Sequence, residues 1–148
     1  MEKIAEEITI KELNNLDEML LAYSIIKQRY REMTLENFQS QISEMIAMND
    51  FKMIGAFLND EIIGVAGYWV LRMLYCGRYI QVSSFIVDED KRGFGIGKKI
   101  LREIEKIGKK LNCEKMVLDS FTENKKSHSL YFKEDFHIRG FHFMKEII

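Results

Sequence analysis

Apolar residues along the chain switch between a helical and a strand period, and the switches mark the elements. Leu16, Met19, Leu20, Tyr23, Ile26 and Tyr30 recur at helical spacing and predict a first helix over about that span. Thr34 suits an N-cap, and beyond it Leu35, Phe38, Ile42, Met45 and Ile46 form the apolar stripe of a second helix. Both stripes read as surfaces that face a core. Ahead of them, Ile8-Thr9-Ile10 reads as a short first strand. Phe51 to Leu58 is a strand, and Asn59-Asp60 a tight hairpin turn, since both residues tolerate left-handed backbone. Glu61 to Leu71 is the next strand, apolar on both faces as a central strand is. A looser connection holds Cys76-Gly77, and Arg78 to Val87 is a further strand. Then Ile96, Ile100, Leu101, Ile104, Ile107 and Leu111 share one helix side, with Lys98, Lys99, Arg102, Glu103, Lys106 and Lys110 on the other. Lys115 to Asp119 reads as a short buried strand and Asn124 to about Lys133 as a last helix. Phe141 to Ile147 predicts a terminal strand, with Phe141 and Phe143 alternating against His142 and Met144.

The order β-α-α-β-β-β-α-β-α-β predicts one α/β (α+β) domain over residues 1–148. Its front half is linked by hairpins and expected to be antiparallel. The strand–helix–strand unit behind it is expected to be parallel and right-handed. With 148 residues, 47% of them apolar and 30% charged, the chain can bury a sizeable core, and disorder is not expected. A formal net charge of −1 offers no global attraction to nucleic acid or to an anionic membrane, so neither is expected as a partner. Cys76 and Cys113 fit no metal or redox spacing and read as free thiols in a reducing compartment; no metal is expected. The charged opening and the absence of a long apolar run make the cytoplasm the expected address.

One stretch promises chemistry. The apolar strand end Phe85-Ile86-Val87 runs into the acidic turn Asp88-Glu89-Asp90. Then comes Lys91-Arg92-Gly93-Phe94-Gly95-Ile96-Gly97-Lys98, which opens the amphipathic helix. Glycines let the backbone approach a ligand and adopt positive φ. A helix start offers unpaired N–H groups and a positive dipole pole, which suits a pyrophosphate. A dinucleotide fold also uses such a turn, and Asp119 stands about 20 residues on, where a ribose-binding acid is expected. The spacing of Gly93, Gly95 and Gly97 is not G-x-G-x-x-G, however. The preceding meander is wrong for a doubly wound sheet, and too little chain remains after Asp119 for the further repeats.

Arg92-Gly93-Phe94-Gly95-Ile96-Gly97 matches the Gln/Arg-x-x-Gly-x-Gly/Ala signature of the GNAT superfamily of acyl-CoA-dependent N-acyltransferases. Asn124 to Phe136 resembles that family's Asn-x-x-Ala-x-x-Phe-Tyr-x-x-x-Gly-Phe block, and Gly140 to Lys145 resembles its last strand. The element order agrees from end to end. Ser127 stands for the usual alanine and Asp135 for the usual glycine, which puts the local helix end in doubt, because left-handed backbone costs more there. The resemblance implies a mixed, mostly antiparallel sheet with helices on both faces and a V-shaped split between strands four and five.

The resemblance further implies acetyl-CoA as co-substrate. Its pantetheine arm would pair with the strand edge Phe85, Ile86 and Val87. The pyrophosphate would sit on backbone N–H groups from Gly93 through Phe94, Gly95, Ile96 and Gly97 to Lys98, with charge added by Arg92 and Lys98. Asn124 and Ser127 would border the cofactor. A backbone amide near Ile86 would polarise the thioester carbonyl, and Tyr131 matches the family's general acid toward the thiolate. The base is not evident. The inward positions that often hold Glu or His read Gln81 and Ser83, which leaves a water chain, His128 or Glu61. His137 and His142 read as ordinary sheet-surface residues. The acceptor would be a primary amine of a small molecule or peptide, chosen by residues about 23–33 and 73–79. Tyr30, Arg31, Tyr68, Trp69, Tyr75 and Tyr79 are the lining candidates. A non-catalytic acyl-CoA sensor is the rival reading, and a homodimer is left open.

Overall fold

The computed structural model describes residues 7–148. The chain divides into two compact units, one ending at Leu118 and the other spanning Asp119–Ile148. The first unit carries a five-stranded sheet: β1 (Thr9–Leu13), β2 (Phe51–Leu58), β3 (Glu61–Met73), β4 (Gly77–Val87) and β5 (Lys115–Leu118). The strands lie side by side in chain order. The first four pair antiparallel, and β4 pairs parallel with β5. The β2–β3 hairpin turns on Asn59 (φ 49°) and Asp60 (φ 64°), both left-handed as their residue types allow.

The predicted first helix is two. α1 (Leu16–Leu20) and α2 (Tyr23–Arg29) are separated at Leu21 and Ala22. There the amides of Leu21 and Ala22 reach back only three residues, to Glu18 O and Met19 O. That tighter bonding interrupts the α-helical ladder, while Met19, Ile25 and Ile26 on either side of it stay buried. Asn15 caps α1 by accepting from Glu18 N at 2.9 Å. Thr34 caps α3 (Leu35–Ala47) by accepting from Asn37 N at 3.1 Å, as its position predicts.

These helices press Met19, Ile25, Ile26, Phe38 and Ile42 onto the sheet residues Leu13, Phe51, Met53, Val65 and Ile86. The helix α4 (Ile96–Lys110) buries Ile96, Ile100, Leu101 and Ile104. Each such side chain contributes about 1.5–3 kcal/mol. Close approach of α4 to the sheet depends on two missing side chains. A Cβ at Gly64 would lie 3.0 Å from Ile100 Cδ1, and one at Gly108 would lie 3.1 Å from Ile80 Cγ2.

The second unit contains the helix α5 (Lys125–Lys133). Its end answers the doubt raised by Asp135, which takes the left-handed conformation at φ 64°. Phe136 N donates to Tyr131 O at 2.9 Å and Asp135 N to Phe132 O at 3.2 Å. The Tyr131 and Phe136 rings meet edge to face at 6.0 Å. This is a complete Schellman cap with its apolar contact, built on Asp instead of Gly.

The expected terminal strand is absent. No residue after Leu118 enters a ladder among the described residues, and Phe141 and Phe143 are 82% and 90% exposed. Alternation names a face that could be buried, but a strand exists only with a partner, and none is paired among these residues. His137 and His142 are therefore not sheet residues; His142 Nδ1 lies 3.4 Å from Asp119 Oδ2.

Candidate functional site

The site is built where β4 stops being an ordinary strand. Up to Val82, β4 is flanked on both sides, with Tyr79 to Val82 in register with Lys115 to Leu118 of β5. The β5 register ends there, while β4 runs on to Val87 paired with β3. All four residues of β5 are paired, so β4 beyond Val82 lacks a β5 partner because β5 ends at Leu118.

At the same place β4 carries an extra residue. Gly67 pairs with Ser83 and Val65 with Ile86, so Ser84 and Phe85 together oppose Ala66 alone. Ser84 absorbs the bulge with φ 47°. The extra residue reverses the alternation. Ile80 packs beside Gly108 of α4, yet Ile86 belongs to the core under α1–α3, although an even separation would put both on one face. Phe85 and Val87 are half-buried, while the Ile86 side chain is 4% exposed and committed to the core. Ile86 can therefore offer a ligand only its backbone.

Beyond Val87 comes a single 3-10 turn, Glu89–Lys91. Asp88 caps it by accepting from Asp90 N at 3.1 Å, and Asp88 N donates to Ile63 O at 2.9 Å. Arg92 is exposed and its Nε donates back to Val87 O at 3.4 Å. Gly93 and Gly95 come next, with φ 88° and 77°. A Cβ added at either would meet no atom of the described residues within 4 Å, so what asks for glycine there is the left-handed backbone. Gly95 is the N-cap of α4 and gives no side-chain cap bond. The first helical bond is Lys99 N to Gly95 O at 3.1 Å, so the amides of Gly95, Ile96 and Gly97 precede the helical ladder. Phe94 is half-buried and Lys98 exposed. The Ile96 side chain is buried, so it too offers backbone only. Expected positions Phe85 to Val87 and Arg92 to Lys98 thus form one continuous run in the first unit. It joins a half-laddered strand to a positive helix pole, and it fits a diphosphate flanked by an extended arm.

Asn124, Ser127 and Tyr131 belong to the second unit, at the N-cap, first turn and second turn of α5, all half-buried. Asn124 makes no side-chain cap bond, so the capping role open to an Asn there is not what it does. His128 Nε2 lies 2.8 Å from Phe121 O and 3.1 Å from Ser120 Oγ. A carbonyl acceptor assigns the proton to that nitrogen, which then cannot take another. Glu61 is exposed beside the β2–β3 turn. Ser83 Oγ is buried without a hydrogen-bond partner among the described residues.

The acceptor-lining candidates divide. Tyr68 and Tyr79 are buried in the sheet, and burial, with the Glu12 charge adding to it, pushes the Tyr68 phenol up to about 12. Trp69 packs against Phe51 with ring centroids 5.0 Å apart and the planes tilted by 47°. Tyr30, Arg31 and Tyr75 are exposed. Residues 29–33, with Asn37 and Gln41 of α3, line an open groove of about 460 Å³. Among the described residues no group of three or more His, Cys, Asp or Glu could hold a metal ion, and no helix is long and apolar enough to cross a membrane.

Two contributors escape the residue pattern. Ser84 carries no mark of left-handed backbone, because serine has no special preference for it. Gln28, 60 residues before Asp88, is bonded to the acidic turn; nothing local announces such a contact.

Strand, bulge, glycine turn and helix pole form one run of exposed backbone with the character of an anion cradle. The family model for the acetyltransferase (GNAT) family matches residues 16–136, and the chain belongs to that family. It is an acyltransferase. Solved structures agree in fold. Glucosamine-6-phosphate N-acetyltransferase from Arabidopsis thaliana is 19% identical with a TM-score of 0.74, covering 95% of this chain and 99% of that one. AAC(6')-Iy in complex with the bisubstrate analog CoA-S-monomethyl-acetylneamine is 16% identical with a TM-score of 0.80, at 95% and 99% coverage. A transcriptional regulator from Bacillus halodurans is 18% identical with a TM-score of 0.78, again at 95% and 99% coverage.

Proposed function

We propose that this chain transfers the acetyl group of acetyl-CoA to a primary amine of a small molecule or peptide by direct attack, in the cytoplasm. The observation that carries the reading is the run from Ser84 to Lys98. It combines a bulged strand end without a β5 neighbour, two left-handed glycines, and the start of a 15-residue helix. Acetyl-CoA supplies an acyl group activated as a thioester.

Gly93 to Lys98 hold the diphosphate through backbone amides, with the α4 dipole and Arg92 favouring its charge. Phe85 to Val87 receive the pantetheine arm as an added strand. The amide near Ile86 donates toward the thioester oxygen, where negative charge grows as the amine adds. Asn124 and Ser127 border the arm. Tyr131 donates its phenolic proton to the departing sulfur. A phenol near pKa ~10 and a thiol near ~8.5 are close enough for a hydrogen-bonded transfer. The proton lost by the amine passes to water, because Gln81 and Ser83 cannot titrate near neutral pH. The Ser83 hydroxyl, buried with no hydrogen-bond partner among the described residues, supports this, since such a hydroxyl is costly unless water or substrate satisfies it. The groove of residues 29–33 is the acceptor side. Its lining mixes Arg29 and Arg31 with the acid Glu32.

The test is thiol release from acetyl-CoA across amino sugars and their phosphates, polyamines, amino acids and peptide N-termini. At least one amine should give release above the background. Tight CoA binding with no acceptor across the panel would contradict the catalytic reading and favour a sensor.

A further inference from the structure

We infer that Gln28 is a positioning residue for the glycine turn, fixing the acidic bend from which that turn departs. The inference rests on the reading of residues 92–98 as the CoA diphosphate site. Gln28 sits in the last turn of α2, which ends at Arg29. Both ends of its side-chain amide reach the bend. Gln28 Oε1 accepts from Glu89 N at 2.9 Å, and Gln28 Nε2 donates to Asp88 Oδ1 at 3.3 Å. Asp88 Oδ1 is shared with Asp90 N at 3.1 Å, and Asp88 N is held by Ile63 O at 2.9 Å. A three-residue 3-10 turn has little stability of its own. This one is tied to β3 through the main chain and to α2 through one side chain.

The tie bears directly on the glycines downstream. Gly93 and Gly95 have wide conformational freedom, so ordering the turn around a ligand costs more than it would for other residues. Fixing the bend immediately upstream lowers that cost before the ligand arrives. Gln28 is half-buried, which keeps both bonds partly shielded from water. The same helix end continues into residues 29–33, the wall of the open groove. One side chain therefore links the acceptor-side helix to the cofactor turn.

The test is calorimetric titration of CoA into the full chain, with unliganded thermal melts alongside. Gln28→Ala removes both bonds and should weaken CoA binding about fivefold to tenfold, as loss of two partly shielded bonds implies. The unliganded melting temperature should fall by no more than about 2–4 °C. Gln28→Glu keeps the acceptor for Glu89 N but sets a carboxylate against Asp88, and should weaken binding at least as much. Adding Asp88→Asn to Gln28→Glu should restore part of the affinity, because it removes the like-charge contact; the recovery is incomplete, since the one atom that meets both residue 28 and Asp90 N cannot donate to the first and accept from the second. A merely structural role would not produce that rescue. Wild-type binding with Gln28→Ala and Gln28→Glu unchanged overturns the inference and leaves the CoA site standing. Weakening without rescue by the swapped pair also overturns it. A wild-type chain that takes no CoA overturns the site reading and this inference together.

Discussion

The two halves of β4 have opposite physical characters. From Tyr79 to Val82 it is an interior strand with ladders on both sides, and its Ile80 and Val82 are buried. From Ser84 to Val87 it is bulged, keeps only the β3 ladder and ends in a turn of left-handed glycines. The first half stabilises the fold, and the second presents backbone. The proposed site thus lies where the sheet is interrupted. A strand paired on both sides has no hydrogen-bonding edge left for a ligand, whereas a strand whose neighbour ends has one.

Substitutions in either half probe this division of labour. The strongest response is expected at Gly95. Its φ of 77° strains any side chain by about 1–2 kcal/mol, and an added Cβ meets no atom of the described residues. Gly95→Val should therefore fold with a modest loss of stability while CoA affinity falls at least about a hundredfold, read by calorimetry. Unimpaired affinity would remove the glycine turn from the site. Next comes Ile80→Ala in the other half, with Ile80 1% exposed. It should cost about 2–4 kcal/mol in urea unfolding but leave the CoA affinity of the folded fraction unchanged. A large loss of affinity there would mean that the two halves are not separable.

Tyr131→Phe should lower turnover about tenfold to a hundredfold, with the KM for acetyl-CoA nearly unchanged. An unchanged rate would take Tyr131 out of the mechanism. The weakest response is expected for Ser83→Ala at the junction of the halves. Its hydroxyl is buried with no partner among the described residues, so removing it should raise stability by about 1 kcal/mol. A loss of several kcal/mol would show that the hydroxyl is firmly bonded in solution.

Most of the fold was legible because it rests on local signals. Periodicity set β2 at Phe51–Leu58, turn chemistry set Asn59-Asp60, and Thr34 caps the helix it precedes. The glycine turn was legible for the same reason, since left-handed backbone selects for glycine. The features that could not be read depend on distant partners. The first helix divides at Leu21 and Ala22 although its apolar stripe continues. The alternation of Phe141 and Phe143 says nothing about whether a neighbouring strand exists. Ser84 takes φ 47° because the β3 register requires an extra residue there. Asp135 takes over a glycine's task because the Tyr131–Phe136 contact and two backbone bonds accompany its conformation. Gln28 is joined to the cofactor turn only by the fold.

Backbone amides of the bulged strand end and the glycine turn are proposed to grip the nucleotide-linked diphosphate and its arm. Amide-resolved NMR during titration with CoA observes those amides one by one. Saturable shifts should concentrate at residues 83–87 and 93–98, with the amides of residues 79–82 nearly still. Shifts elsewhere with these amides unmoved, or none at millimolar CoA, would refute the proposal.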